Sequence, residues 1–430
     1  MNYEITKNKF NSYIEECRQK ILAITSITEE EYNQVSARII DEIKNNPIEK
    51  LKKTKIDIVK LHRLEMIKIK VDHTMRMIEK NMQINEALGM KFDLKTVTEI
   101  AILLHDIGRF EQATWTGNYR DTEFTDNKKT VGELYRTKSG IIIPNKSLSE
   151  IDLNSIIKNH GENGYHIFNQ NHFEVDEQYV PIIGESILHH VNINQAPHLQ
   201  HRFNNIKEIN SIDIHKIATG KNELNAAELE AVSLITQLVA DIDKADILYQ
   251  YLTGEIELNK KVEMDTNGES LDKIAIKWGI PKSEILENNE TTEAEYNAMT
   301  DKSIKIPLKN VDPKKLEVSE EFKKLFYAFC NNTDPNSEVA KKWSNLPKLM
   351  KKEFPEWTFV HGLWWRISKF IKDLNFYSTV VSLEESNLLE RILKETPDKY
   401  KALIKEPIDH AIRKLIPDIK KSSTDKLYTR

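Results

Sequence analysis

Histidine and aspartate side chains recur in this sequence within or at the ends of apolar helical patterns. The central example is the apolar run Ile100-Ala-Ile-Leu-Leu, which leads directly into the pair His105-Asp106. Imidazole and carboxylate together form the mixed nitrogen and oxygen ligand set that suits Mn, Fe, Ni, Zn or Mg. A single His-Asp pair is common by chance, but the occurrence of several such side chains on different predicted helices predicts a metal site. The candidate ligands are His73, His105, Asp106, His160, His189, His190, Asp241 and Asp243.

Amphipathic helices are predicted to carry these residues. Apolar residues at three- and four-residue intervals from about Asp57 to Ile84 predict a core-facing helix that contains His73. The next helix is predicted to start at an N-cap, Asp93, and to stop at Gly108, just after His105-Asp106. Residues 111–148 are polar, and we expect this long segment to cover the site.

Three further helices are predicted to end in, or contain, a candidate ligand. Ser149 with Asp152 is typical of a capping box that opens a helix ending at His160. The segment from Tyr179 to Val191 ends on His190, and Asn225-Ala-Ala-Glu228 predicts the start of a helix that contains Asp243. Periodicity does not choose between Asp241 and Asp243, because each shares a helical face with apolar residues.

Composition excludes several classes of protein. The 430 residues carry a net charge of -5, with 39% hydrophobic and 30% charged residues. There is no overall basic field of the kind that attracts nucleic acid. No apolar run reaches the ~18 residues that a membrane span needs. The two cysteines, Cys17 and Cys330, favour a reducing compartment, so we expect a cytoplasmic protein.

The order of the candidate ligands resembles that of the HD superfamily of metal-dependent phosphohydrolases. The closest local matches are His105-Asp-Ile-Gly-Arg-Phe110, Asn159-His-Gly-Glu-Asn-Gly164 and Asp241-Ile-Asp-Lys-Ala-Asp-Ile-Leu248. The resemblance implies a mainly α fold, an HD-domain helical bundle. It also implies hydrolysis of a phosphate ester by a metal-activated hydroxide, with a small, nucleotide-like phosphorylated substrate.

The resemblance also assigns roles to single residues. It implies two ions bridged by Asp106, with His73, His105 and Asp243 on one ion and His160 with His190 on the other. It favours Asp243 over Asp241 and His190 over His189, and it implies that Lys244 and Arg109 bind substrate phosphate. Lys244 and Arg109 are therefore expected to act with Asp106 in catalysis.

A second resemblance lies within residues 263–309. Gly268-Glu-Ser-Leu-Asp-Lys-Ile-Ala-Ile-Lys-Trp-Gly-Ile280, followed by Ser303-Ile-Lys-Ile-Pro307, resembles a LysM repeat. This implies a small α+β (βααβ) insert that binds a glycan or a protein partner. The expected division is an N-terminal helical cap (1–60), the HD domain (61–262), the insert (263–309) and C-terminal helices that complete the bundle (310–430).

Two other functions remain open at this point. Some HD proteins use the same six-ligand set in a di-iron oxygenase, which would consume oxygen rather than release phosphate. Alternatively the metal is structural, and the LysM-like insert performs the binding function.

Overall fold

The structure is a computed structural model, and it describes most of the chain. The described residues are 2–25, 30, 58–116, 160–190, 196, 199, 203, 206–218, 223–253, 261–265, 269–288, 292–298, 303–307, 311–334, 336–353, 359–396 and 398–422. These residues are mainly helical, as predicted. Contacts divide the chain into two compact units, the first covering Met1–Asp243 and the second Lys244–Lys426. None of the described helices is long and apolar enough to cross a membrane.

The first unit is a helical bundle. Its helices are α1 (Tyr3–Thr25), α2 (Ile58–Ala87), α3 (Phe92–Leu104), α4 (Ile107–Thr116), α5 (His160–Asn171), α6 (Val180–His189), α7 (Ile206–Ser211), α8 (Ile214–Ile217) and α9 (Ala226–Thr253), the last of which continues into the second unit. Helix α3 lies at the centre, because α1, α2, α6 and α8 all pack against it. Every side chain of α3 from Ile100 to Leu104 is buried, which explains why this run is apolar on all sides.

Helix α1 is an integral part of this bundle. Phe10, Cys17 and Ile21 are fully buried, and α1 packs against α2, α3 and α4. The ring of Phe10 meets that of Phe110 edge to face, with centroids 5.6 Å apart. The sequence predicted a peripheral cap over residues 1–60, whereas the part of it that the structure describes contributes to the core.

The second unit contains one hydrophobic core. Its elements are β1 (Lys261–Asp265), α10 (Leu271–Trp278), α11 (Lys282–Asn288), α12 (Glu293–Ala298), β2 (Ser303–Pro307), α13 (Glu320–Asn331), α14 (Glu338–Glu353), α15 (Phe359–Lys372), α16 (Tyr377–Glu385), α17 (Leu388–Glu395), α18 (Asp398–His410), a π-helix (Ala411–Leu415) and α19 (Ile416–Ser422). Strands β1 and β2 pair antiparallel, with Lys261 opposite Pro307.

The helices between the two strands and the C-terminal helices share one continuous hydrophobic core in the second unit. Leu271 and Trp278 from α10 belong to the same buried cluster as Phe322, Trp364 and Ile416. The sequence separated residues 263–309 from residues 310–430, and it assigned the latter to the HD bundle. In the structure both segments lie in the second unit, because their apolar side chains are buried together.

Several local predictions can be compared directly with the structure. The capping box is confirmed: the Glu228 carboxylate accepts from the Asn225 N–H at 2.9 Å, and the Asn225 side chain accepts from the Glu228 N–H at 3.0 Å. The prediction of Asp93 as an N-cap is wrong, because Lys91 holds that position and Asp93 lies in the first turn of α3. The predicted helix end at His160 is wrong, because the chain is helical from His160 to Asn171. Residues 111–116 of the predicted polar segment belong to α4. Residues 117–159 lie outside the described residues.

Candidate metal centre

The centre is built around a sharp turn between two helices. Helix α3 ends at Leu104, His105 and Asp106 form the turn, and α4 begins immediately at Ile107. The prediction that the helix stops at Gly108 is therefore wrong, since Gly108 lies in the first turn of α4. The turn directs two adjacent side chains, both buried, into the interior of the bundle.

Glycines let the next helix approach this turn closely. A Cβ at Gly108 would collide with the backbone carbonyl oxygen of His160, and it would lie 2.8 Å from the Gly164 nitrogen. A Cβ at Gly161 would lie 2.6 Å from the carbonyl oxygen of Leu188, near the end of α6. The Asn163 side chain also donates to the Gly108 carbonyl at 3.1 Å. These contacts bring His160, the first residue of α5, next to Asp106.

The carboxylate of Asp106 lies at the centre of the cluster. Its Oδ1 is 3.2 Å from Nε2 of His160. Its Oδ2 is 3.5 Å from Nε2 of His105 and 3.7 Å from Nε2 of His73. One oxygen of this carboxylate therefore faces His160, and the other faces His73 and His105.

Among the described residues, two buried groups could each hold a metal ion, and Asp106 belongs to both. The first group is His73, His105 and Asp106; the second is Asp106, His160 and His190. Within each group the ligand atoms lie within 4.8 Å of one another. Two atoms that each lie about 2.1 Å from one ion are about 2.9 to 4.2 Å apart. The separations of 3.2, 3.5 and 3.7 Å around Asp106 fall within that interval.

The rings of His105 and His190 are oriented in the same way by the backbone. Each follows the last residue of its helix, and its Nδ1 lies 2.6 or 2.7 Å from the carbonyl oxygen three residues earlier, Ile102 or Ile187. A carbonyl only accepts, so Nδ1 carries the proton and Nε2 keeps its lone pair. A backbone carbonyl holding the far nitrogen is the usual support of a metal-binding histidine.

The buried environment keeps these imidazoles neutral. Burial lowers the pKa of His105 to about 4, against the opposing effect of Asp106. Burial and then the positive charge of Arg109 lower the pKa of His160 to about 3. Burial also lowers the pKa of His190. Nε2 of His105 and Nδ1 of His160 have no hydrogen-bond partner among the described residues. Neutral, buried and partly unpaired ring nitrogens fit a metal ion.

The carboxylates, in contrast, are ionised. Burial disfavours the charge on Asp106, but Lys70 and the neighbouring histidines outweigh burial and hold the pKa of Asp106 well below its usual value. Burial likewise acts against the charge on Asp243, yet the adjacent His73 lowers the pKa of Asp243 to about 2. Two anionic carboxylates beside the imidazoles form a donor set that suits a divalent cation.

The structure distinguishes the members of the two ambiguous pairs. Oδ1 of Asp243 lies 3.2 Å from Nε2 of His73, so Asp243 adjoins the first group. Asp241 is fully buried and belongs to neither group. His190 is in the second group, whereas Nε2 of His189 lies 3.2 Å from a Glu185 carboxylate oxygen one turn earlier. His189 is therefore in neither group of ligands.

The two basic residues predicted to bind phosphate have different surroundings. Arg109 is half-buried in α4, near enough to His160 and His190 for its charge to lower the pKa of both. The ammonium of Lys244 donates to the backbone carbonyl of Asp373 at 2.8 Å. Lys244 as a phosphate contact stays a prediction.

One charged residue of the cluster was missed by the sequence reasoning. Nζ of Lys70 lies 2.6 Å from Oδ2 of Asp106, and its side chain is only 18% exposed. The available signal was spacing, because Lys70 precedes His73 by three residues and so lies on the same side of α2. Spacing alone could not identify a partner 36 residues away.

Comparisons of this chain with protein-family models, with curated proteins and with solved structures gave no match. The assignment of a function therefore depends on the residues and their geometry.

Proposed function

We propose that this protein is a metal-dependent phosphohydrolase of the HD type, acting on a small phosphate ester such as a nucleotide or cyclic nucleotide. The observation that carries the proposal is the carboxylate of Asp106. It belongs to two buried groups of residues that could hold a metal ion, and its two oxygens face different histidines, Oδ1 facing His160 and Oδ2 facing His105. A carboxylate shared by two candidate metal positions suits a phosphohydrolase that uses two metal ions.

The chain's own residues would act as follows. Asp106 would hold both positions together, with His73, His105 and Asp243 on one side and His160 with His190 on the other. Bound divalent metal supplies Lewis acidity, which polarises a phosphoryl oxygen and lowers the pKa of water. Arg109, beside His160, would balance the charge of the substrate phosphate. Lys244 would contribute only by exchanging its bond to the Asp373 carbonyl for phosphate.

The test is a substrate screen with the metal-reconstituted protein. The protein loaded with Mn, Fe, Ni, Zn or Mg is incubated with nucleotides, cyclic nucleotides, phosphodiesters and phosphomonoesters, and released phosphate or monoester is measured. The expected result is hydrolysis that Asp106→Asn abolishes, with His189→Gln as the control that retains activity. No hydrolysis by any metal form would refute the proposal. Oxygen uptake by the iron form would support the di-iron oxygenase instead.

We also propose that residues 263–309 form a LysM-like module that docks a protein partner or a glycan. The antiparallel pairing of β1 and β2 on either side of short helices supports this proposal. The two ends of α10 also support it. Ser270 caps the N-terminus of this helix, and Gly279, in the left-handed conformation, ends it. A third helix, α12, departs from the βααβ pattern. In the alternative in which the metal is only structural, this module would provide the binding activity.

We propose a cytoplasmic location, which the cysteines support. Cys17 and Cys330 are both buried, and neither forms a disulfide bond. A reducing compartment keeps cysteines in the thiol state.

A further inference from the structure

Lys70 gives the two sides of the Asp106 carboxylate different environments. Its ammonium lies 2.6 Å from Oδ2, the oxygen that faces His73 and His105. Oδ1 instead faces the neutral imidazole of His160 at 3.2 Å. Among the described residues, Asp106 has no ion pair with any other lysine or arginine. Arg109 adds positive charge near His160 and His190, and this charge contributes to lowering the pKa of both histidines.

This asymmetry affects the two metal positions unequally. A divalent ion held by His73, His105 and Oδ2 of Asp106 would approach the same oxygen as the Lys70 ammonium. Two cations that share one oxygen repel each other strongly in a buried site. Among the described residues, an ion held by His160, His190 and Oδ1 would share its carboxylate oxygen with no ammonium, so no second cation would have to leave that atom.

The side chain of Lys70 is able to leave. Lysine carries its charge on a flexible four-carbon stem, and this side chain is 18% exposed, so it is not enclosed. Moving the ammonium away from Oδ2 breaks the ion pair with Asp106. The free energy lost in this way lowers the affinity of this position for a metal ion. The ammonium of Lys70 also balances the negative charge of Asp106 when no metal is bound.

We propose that Lys70 makes the two metal positions fill in order. The position formed by Asp106, His160 and His190 fills first, and the position formed by His73, His105 and Asp106 fills second, when Lys70 leaves Oδ2. This inference rests on the metal centre of the proposed function, but it concerns binding and not hydrolysis. Lys70 is thus a residue that sets the affinity of the second position, not a metal ligand.

The experiment is a titration of chelator-treated, full-length protein with Mn²⁺ alone. Binding is measured by isothermal titration calorimetry and by the electron paramagnetic resonance signal of free Mn²⁺. The wild type should bind one ion tightly and a second more weakly. Lys70→Met should tighten the second binding event about tenfold or more and leave the first nearly unchanged. Lys70→Arg keeps the charge and should resemble the wild type. Lys68→Met removes an exposed charge from the same helix and should have no effect.

Variants of the candidate metal ligands show which metal position gives each of the two binding events. His105→Ala should remove the weaker event, and His190→Ala should weaken the tighter one. Equal affinities in the wild type, or a second event that Lys70→Met leaves unchanged or weakens, would overturn the proposal. Binding of no Mn²⁺ would overturn it together with the metal centre. If Mn²⁺ binds in the expected order but no ester is hydrolysed, the proposed function fails and the order of filling stands.

Discussion

At the scale of single residues, the neighbours of each ring nitrogen explain which histidines can bind metal. The carbonyls of Ile102 and Ile187 orient His105 and His190, so their Nε2 atoms keep lone pairs inside the cluster. His189 carries the same functional group as His190 but pairs with Glu185. Adjacent residues on a helix differ by about 100° in direction, which is sufficient to place the ring of His190 among the candidate ligands and the ring of His189 beside Glu185.

The two candidate aspartates should respond differently to removal of charge. Asp243→Asn should lower the metal content, because this side chain contacts His73 and its charge adds to that of Asp106. Asp241→Asn should leave the metal content unchanged, since Asp241 is in neither ligand group. Elemental analysis of both purified variants measures the difference. Loss of metal from Asp241→Asn alone would show that the ligand is Asp241.

The buried histidines also predict a dependence of stability on pH. An unfolded histidine has a pKa near 6.5, whereas the folded values are about 4 for His105 and about 3 for His160. As pH falls below 6.5 the unfolded state binds protons that the folded state excludes, so the free energy of unfolding decreases. From pH 6.5 to pH 5 the loss is about 2 kcal/mol for each of these two histidines.

Thermal unfolding of the metal-free protein across this pH range measures the effect. The unfolding temperature of the wild type should fall steadily from pH 7 to pH 5. His105→Gln should reduce this dependence, while the exposed His166, changed to Gln, should leave it unaltered. A wild-type unfolding temperature that is constant from pH 7 to pH 5 would contradict the neutral, buried state of these rings.

At the scale of elements, the close packing of α4, α5 and α6 determines where the ligands lie. Gly108→Ala would drive a methyl group into the backbone of α5 at His160, and backbone cannot yield as a side chain can. We expect this change to destabilise the protein by about 1–3 kcal/mol and to weaken metal binding by displacing His160. Chemical denaturation and metal titration measure the two effects.

Gly164→Ala is the matched control for this prediction. Its added Cβ would meet the Ile187 Cγ2 at 3.1 Å, a side-chain atom that can shift. The effect on stability and on metal binding should therefore be smaller than that of Gly108→Ala. Equal effects of the two variants would mean that the approach of α5 to Gly108 does not position His160.

Sequence patterns predicted elements better than they predicted contacts between them. The helix around His73, the helix ending beside His190 and the capping box at Asn225 follow from periodicity and local hydrogen bonding, and the structure confirms them. The start of α4 directly after Asp106 and the role of Gly108 depend on the packing of α5, which is far away in sequence. The ion pair of Lys70 with Asp106 was missed for the same reason, because a lysine on a helix is usually solvated.

At the scale of the whole molecule, the candidate ligands and the segment of residues 263–309 belong to different units. All the candidate ligands lie within the first unit, at or before Asp243. Leu271, Ile274 and Trp278 of the segment belong to the core of the second unit. Loss of the segment should therefore affect the second unit and leave the metal centre in place.

Replacing residues 263–309 with a short Gly/Ser linker tests this division. Paired strands place the two ends of the segment close together, since Val262 lies opposite Ile306 and neighbouring strands are about 5 Å apart. We expect the variant to retain its metal content and its hydrolysis of small substrates, and to unfold at a lower temperature because part of the second core is lost. Metal analysis, phosphate release and calorimetry measure these properties.

Two point variants separate the loss of core contacts from the loss of a binding surface. Trp278→Ala removes a side chain that is 3% exposed, so it should cost the second unit about 3–5 kcal/mol and leave the metal content unchanged. Ile276→Ala alters a side chain that is 81% exposed, so stability should be nearly unaffected and any change should appear in partner or glycan binding. If the linker variant or Trp278→Ala loses its metal, the segment supports the metal centre itself, and the two units do not fold independently.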